Sequence, residues 1–224
     1  MTPIRSARPL LRLAATALVA LTVIPLSGCL AAQIPTEQPA SADPTVAPSD
    51  APAEEPPGEL PSALSFDEGQ ELPPTAYIEW GDALIADDGW VTASPDDGNG
   101  GWSYATADGA CTAQFWQGLT SDVDVVAGDD SASSDAVLAV LLQSTAAEVT
   151  PVATTGQFSY QVGGSGGVET RQVRGAEGAR TWVIAARAFS ATGVGLSVIV
   201  DCTSGDASAV LAEVAEKNAV VVTP

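Results

Sequence analysis

Alternating apolar and polar positions predict several short strands from about residue 101 onward. Most are separated by glycine-containing turns, which is typical of an antiparallel meander. Asp108-Gly109 supplies the positive φ that a tight hairpin turn needs, so the first two strands are expected to pair. The predicted strands lie near 101–107, 110–118, 157–162, 168–174, 180–191, 194–202 and 219–222.

Apolar residues at helical spacing predict two helices among these strands. The first spans Ser131 to Thr145, with Ser133 as its cap and Asp135 complementing the helix dipole. The second runs from about Asp206 to Lys217, with Ser204 as its cap. The resulting order predicts an α+β fold, in which two helices pack against an antiparallel sheet of about six or seven strands.

The N-terminus has a basic segment, an apolar run from Leu13 to Leu26 and the sequence Leu26-Ser27-Gly28-Cys29. The apolar run of about 14 residues is shorter than the roughly 20 that a membrane-spanning helix needs. This combination resembles the signal peptide and lipobox of bacterial lipoproteins, in which the cysteine thiol receives a diacylglyceryl group before cleavage. The resemblance implies a signal peptide over residues 1–28, lipidation at Cys29 and attachment to the extracytoplasmic face of the cell membrane. The alternative is that Cys29 is a free cysteine beside an ordinary signal-peptidase site.

Residues 29–75 follow as a proline-rich, acidic stretch without a basic residue. Such a composition cannot bury enough apolar surface to order itself, so we predict a disordered spacer that precedes a globular domain over 76–224. The proline-rich, acidic composition is interrupted by Leu64, Phe66 and Leu72. The start of the ordered domain is therefore left open between about 62 and 76.

Two further cysteines, Cys111 and Cys202, both fall on predicted strands. Because an exported chain meets an oxidising environment, we predict that they form a disulfide. The alternative is a pair of buried free thiols.

Composition excludes several function classes. Acidic residues number 28 against 8 lysines and arginines, for a net charge of −20, which argues against nucleic acid as a partner. The absence of histidine excludes His-based triads and His-ligated zinc, and Lys217 is the single lysine available for Schiff-base chemistry. We assign no catalytic residue and no cofactor.

Carboxylate pairs are the first group that could carry chemistry. Calcium is held by six to eight oxygens, but the spacing of a calcium loop is missing, so no metal site is assigned and solvated turn residues are the favoured interpretation. A carboxylate-based or calcium-dependent envelope hydrolase is the alternative, and it requires some of these pairs to converge. The pairs are Asp87-Asp88, Asp96-Asp97 and Asp129-Asp130.

Arginines and tryptophans are the other candidates. Arg171, Arg174, Arg180 and Arg187 gather positive charge in one meander, with Arg174 and Arg180 flanking a predicted turn at 175–179. Ion pairs across strands are favoured over an anion site. The five tryptophans are interpreted as core residues rather than a platform for stacking carbohydrate. They are Trp80, Trp90, Trp102, Trp116 and Trp182.

The order of elements is similar to the PsbP-like fold, which some actinobacterial lipoproteins carry as their extracytoplasmic domain. Members of that fold do not share one activity, so the resemblance implies no catalytic residue. The leading hypothesis is a non-enzymatic interaction or binding module, which contacts the membrane only through its lipid and has an envelope protein or polymer as partner. A purely structural envelope protein remains a further alternative.

Overall fold

A computed structural model describes residues 60–161 and 166–224, and nine strands dominate this part of the chain. Seven strands form one sheet in the order β2-β3-β4-β8-β7-β6-β5, and all its neighbours are antiparallel, while β1 and β9 form a separate antiparallel pair. The strands are β1 (Tyr77–Trp80), β2 (Trp90–Ser94), β3 (Gly101–Thr106), β4 (Cys111–Leu119), β5 (Thr154–Ser159), β6 (Gly167–Glu177), β7 (Arg180–Phe189), β8 (Val194–Cys202) and β9 (Val220–Thr223).

The helices are α1 (Asp130–Leu141), the single turn α2 (Ala146–Val149) and α3 (Ala207–Lys217). Short 3-10 helices cover Glu68–Glu71 and Ala83–Ala86. The predicted α+β class, with two full helices on an antiparallel sheet of about six or seven strands, is therefore confirmed.

The seven-stranded sheet buries side chains on both faces. Alternation along β7 sends Val183, Ala185 and Phe189 into one apolar cluster and Ile184, Ala186 and Ala188 into another. Helix α3 and the β1–β9 pair belong to the first cluster, and α1 belongs to the second. We refer to these two sides as the α3 face and the α1 face.

The segment before β1 is part of the folded unit. Leu64 is fully buried and its N–H donates to the Gly167 carbonyl over 2.9 Å, and Leu72 is buried as well. Residues 60–75 therefore pack against the α3 face, although the sequence was interpreted as spacer up to residue 75 and the start of the ordered domain was left open only between about 62 and 76. The signal peptide, Cys29 and the spacer as far as residue 59 lie outside the described residues. In the described ranges, no helix combines the length and apolar character needed to cross a membrane.

The predicted disulfide is present between Cys111 on β4 and Cys202 on β8. The two cysteines are direct register partners, although 91 positions separate them in the sequence. The bond therefore joins neighbouring central strands of the sheet.

The predicted helix caps are wrong in detail. Asp129 caps α1 by accepting from the Ala132 N–H over 2.8 Å, and Asp206 caps α3. Ser133 lies inside α1, while Ser204 lies in the loop ahead of Asp206. Aspartate and serine cap helices about equally well, so residue type alone could not choose between neighbouring candidates.

The turn predicted at 175–179 is also wrong. Strand β6 continues to Glu177, which pairs with Arg180 at the start of β7, so the turn is only Gly178-Ala179. Gly178 adopts a φ of 62°, which lets the ladder continue up to a two-residue turn. Arg174 and Arg180 therefore do not flank the turn symmetrically.

Candidate functional site

A cleft of about 420 Å³ lies over β2, β3 and β4 on the α3 face of the sheet. The loop after β1 forms one wall, and β2 with the loop that follows it forms another. We call this feature the tryptophan cleft, and its lining includes Asp82, Ile85, Ser94, Asp96, Trp102 and Tyr104.

Trp102 is half-buried and lines the tryptophan cleft, and among the described residues it stacks on an aromatic partner on one ring face only. Its indole stacks on Phe115, its register partner on β4, with ring centroids 5.3 Å apart and planes 9° from parallel. Because β4 flanks β3 on one side and β2 flanks it on the other, the uncovered face is turned toward β2. The indole N–H is buried and has no acceptor among the described residues. The accessible part of this half-buried side chain is therefore the ring.

Tyr104 and Asp82 form the most polar contact within the cleft. The Tyr104 hydroxyl donates to Asp82 Oδ1 over 2.7 Å. Burial raises the pKa of Tyr104, and the hydrogen bond to the Asp82 carboxylate raises it further. Tyr104 therefore remains a neutral phenol, and its hydroxyl donates its proton in the hydrogen bond to Asp82.

The floor of the cleft is held in place by Trp80 at the end of β1. Its backbone N–H donates to Gln117 Oε1 over 2.9 Å, and its indole N–H donates to the Trp116 carbonyl over 3.1 Å. The ring packs edge-on against Phe115 and Phe158. These contacts fix the floor, so a ligand meets a pre-organised surface.

The rim after β2 is shaped by two aspartates that bind backbone N–H groups. Asp96 Oδ1 accepts from the Gly98 N–H over 2.8 Å, and Asp97 Oδ1 accepts from the Asn99 N–H over 2.7 Å. Gly98 has a φ of 77°, a conformation that glycine adopts without steric cost. The turn thus holds the Asp96 carboxylate at the edge of the cleft.

The carboxylate pairs singled out in the sequence do not come together. Asp87 forms an ion pair with Lys217 over 2.6 Å, Asp129 caps α1, and Asp130 is buried inside the fold. Within residues 60–161 and 166–224, no three His, Cys, Asp or Glu side chains are grouped as metal ligands would be. Only Asp96 of these pairs lines the cleft, so the convergence of pairs that the hydrolase hypothesis requires is not found among the described residues. Asp82 lines the cleft too, and it was not predicted because a single aspartate forms no recognisable sequence pattern.

Arg187 and Asp130 form an ion pair in the interior. Arg187 Nη2 lies 2.8 Å from Asp130 Oδ2, and both side chains are fully buried. The guanidinium lies between the rings of Phe66 and Phe189, at 4.7 Å and 4.6 Å from their centroids. Burial lowers the pKa of Arg187 to about 10, against the opposing effect of Asp130. Arg187 therefore stays charged at neutral pH.

Neighbouring groups supply further hydrogen bonds to this pair, although Arg187 Nε has no partner among the described residues. Arg187 donates to the Ser65 carbonyl over 2.9 Å and to the Glu169 carbonyl over 3.0 Å. Asp130 Oδ1 accepts from both the backbone N–H and the hydroxyl of Ser190. The pair thereby joins the N-terminal segment, β6, β7 and α1, and it is enclosed rather than open to a ligand.

Of the four arginines, only Arg180 forms an ion pair across strands, which was the favoured interpretation for all of them. Arg180 pairs with Asp201 across β7 and β8, whereas Arg171 pairs with Asp135 on α1 over 2.7 Å. Asp135 therefore serves a buried ion pair rather than the helix dipole. Arg174 forms only a hydrogen bond with Gln172 within the described residues, so the four arginines do not build one anion site.

The tryptophans divide between core and surface. Trp80 and Trp90 are buried, as the core interpretation expected, whereas Trp102, Trp116 and Trp182 are half-buried. Each half-buried tryptophan lines a different depression. Of these three depressions, only the one lined by Trp102 is also lined by two carboxylates, those of Asp82 and Asp96.

Comparison with protein-family models, curated proteins and solved structures gave no match. The function is therefore inferred from the sequence and from the chemistry of the tryptophan cleft.

Proposed function

We propose that this chain is an actinobacterial membrane lipoprotein, anchored through Cys29, whose PsbP-like extracytoplasmic domain is a non-enzymatic binding module. The tryptophan cleft is its ligand site. The observation that carries this proposal is the cleft itself, in which a free indole face and two carboxylates surround a fixed floor.

The state of the polar groups favours binding over catalysis. Asp82 and Asp96 are exposed, and each already accepts a hydrogen bond that fixes its carboxylate. The Tyr104 hydroxyl is engaged by Asp82, which leaves it unsuited to act as a nucleophile or base.

The anchor is supported by the lipobox sequence Leu26-Ser27-Gly28-Cys29. Two acyl chains provide stable membrane attachment without a membrane-binding surface on the domain. About 30 residues connect Cys29 to Leu60, so the folded unit can stand at most about 100 Å from the bilayer.

Labelling with a fatty-acid analogue in the native host tests the anchor. The wild-type chain and the spacer control Ser41→Ala are expected to carry label in the membrane fraction. Cys29→Ala is expected to lose the label because the acceptor thiol is gone. Label retained on Cys29→Ala would contradict the anchor.

A thermal-shift screen with small molecules tests the cleft. Ligands of the cleft are expected to raise the melting temperature of the wild-type protein and not that of Ser94→Trp, whose added ring fills the cleft. Ser94 is exposed, so this substitution removes no core contact. Stabilising ligands that act equally on both proteins would place the binding site elsewhere.

A further inference from the structure

We propose that the tryptophan cleft binds a neutral sugar residue of a glycan, with one face of the sugar ring against the free face of Trp102. This inference rests on the proposed function, because it takes the cleft as the binding site. It adds the chemical class of the ligand.

The aromatic surface of the cleft fits a flat ring better than an organic cation. Phe115 covers one face of Trp102, while Trp80 and Tyr104 are only 5% and 2% exposed. The cleft therefore offers a single open aromatic plane. Quaternary ammonium ligands are typically recognised by cages of several aromatic faces. The C–H face of a pyranose needs only one such plane.

Hydroxyl groups stand beside this plane. Thr92 and Ser94 project from β2 on the side toward which the free indole face is turned, and both are exposed. Gln117 lines the same cleft. Hydroxyls both donate and accept hydrogen bonds, as sugar hydroxyls do, so this wall matches a polyhydroxylated ring.

The two carboxylates are oriented and each keeps a free oxygen. Asp82 Oδ1 accepts from Tyr104, and Asp96 Oδ1 accepts from the Gly98 N–H. Within the described part of the chain, neither Oδ2 atom has a hydrogen-bond partner. A carboxylate oxygen held in this way accepts a charge-assisted hydrogen bond from a sugar hydroxyl.

Charge excludes acidic sugars. The lining contains Asp82 and Asp96 and no lysine or arginine, and the chain carries a net charge of −20. A uronate or phosphate group would be placed beside two negative charges without a compensating cation. The volume of about 420 Å³ lies within the range of about 300 to 1000 Å³ that is usual for small-ligand sites. The ligand that fits is a short neutral stretch of a polysaccharide.

The test is a glycan array with neutral and acidic oligosaccharides, followed by calorimetric titration of the hits and of choline. The full chain is used in a detergent without a sugar head group. Saturable binding of a neutral oligosaccharide is expected. Trp102→Ala is expected to weaken the binding of the oligosaccharide about tenfold. The free energy of one aromatic contact corresponds to roughly a tenfold change in the dissociation constant. Ser94→Trp is expected to abolish binding, whereas the control Trp182→Ala, on the α1 face, is expected to bind like wild type.

The outcomes separate this inference from the proposed function. Neutral oligosaccharides that do not bind, or that bind Trp102→Ala and Ser94→Trp unchanged, would overturn the sugar assignment. Choline or an acidic glycan that binds wild type and not Ser94→Trp would also overturn it, while leaving the cleft as a binding site. If Ser94→Trp changed the binding of no ligand in either screen, both proposals would fail.

Discussion

The buried ion pair allows a quantitative prediction. Asp130→Asn removes the negative charge but keeps an oxygen that can accept from Ser190. Arg187 then remains charged and fully buried without its counter-ion, since its pKa of about 10 keeps it protonated at neutral pH. Breaking a buried pair by removing one partner typically costs about 3 to 5 kcal/mol. We expect a loss of that size in the free energy of unfolding, equivalent to a fall of roughly 6 to 20 °C in melting temperature for a domain of this length.

The assay is urea unfolding at pH 7 with the disulfide intact, followed by circular dichroism. Asp130→Asn, Arg187→Met and the double variant form a thermodynamic cycle. The double variant is expected to be more stable than the sum of the two single losses implies, because neither charge is then left unpaired. Asp201→Asn is the control, since it opens the more exposed pair with Arg180 and is expected to cost about 1 kcal/mol or less. A loss below about 1 kcal/mol for Asp130→Asn, or strictly additive losses, would refute the reasoning.

Three further predictions concern stability and are measured by urea unfolding. Gly69→Ala is expected to cost about 1 to 3 kcal/mol, because a Cβ there would overlap the guanidinium of Arg187, and an unchanged midpoint would contradict this packing. Replacing Cys111 and Cys202 together by alanine removes a cross-link over 91 positions and is expected to cost roughly 4 to 5 kcal/mol, with a cost under about 1 kcal/mol counting against the prediction. The hydrogen bond from Arg180 lowers the pKa of Asp201 in the folded protein. The ion pair therefore stabilises the fold above the unfolded pKa of about 4, and this contribution is lost as the pH falls through the lower pKa of the folded state. The midpoints of wild type and Asp201→Asn should therefore converge on acidification, and a constant difference down to pH 2 would contradict the assignment.

The sheet was largely predictable because successive side chains of its central strands are buried on opposite faces. In β7 and β8 the apolar pattern is long enough to identify both strands and their antiparallel pairing. Strand β2 was missed because only Trp90 is buried and the next four residues are exposed, so no alternation marks it. Strand β1 was missed because it has four residues and pairs with β9, whose register partners lie 140 to 146 positions away.

The candidate site was less predictable, since it depends on distances across the fold. Trp80 and Trp102 are chemically equivalent in the sequence, yet Trp80 is 5% exposed and packs against Phe115 and Phe158, whereas Trp102 is half-buried and stacks on Phe115 alone among the described aromatic residues. Asp82 belongs to no acidic pair, and its role follows from its contact with Tyr104, which is 22 positions away. The disulfide was predictable because only two cysteines remain after Cys29.

The ion pair of Arg187 and Asp130 also holds the N-terminal segment at the point where the proposed spacer joins the folded unit. Arg187 donates to the Ser65 carbonyl and packs on Phe66, so two of the contacts that fix residues 60–75 pass through this side chain. In Asp130→Asn, amide hydrogens such as that of Leu64 are expected to exchange faster than the fall in global stability accounts for. Amides on β4 and β8, which the disulfide joins, should follow the global value alone. Equal acceleration in both regions, measured by hydrogen exchange with mass spectrometry, would show that the pair stabilises the domain as a whole and does not specifically hold the segment that leads to the proposed membrane anchor.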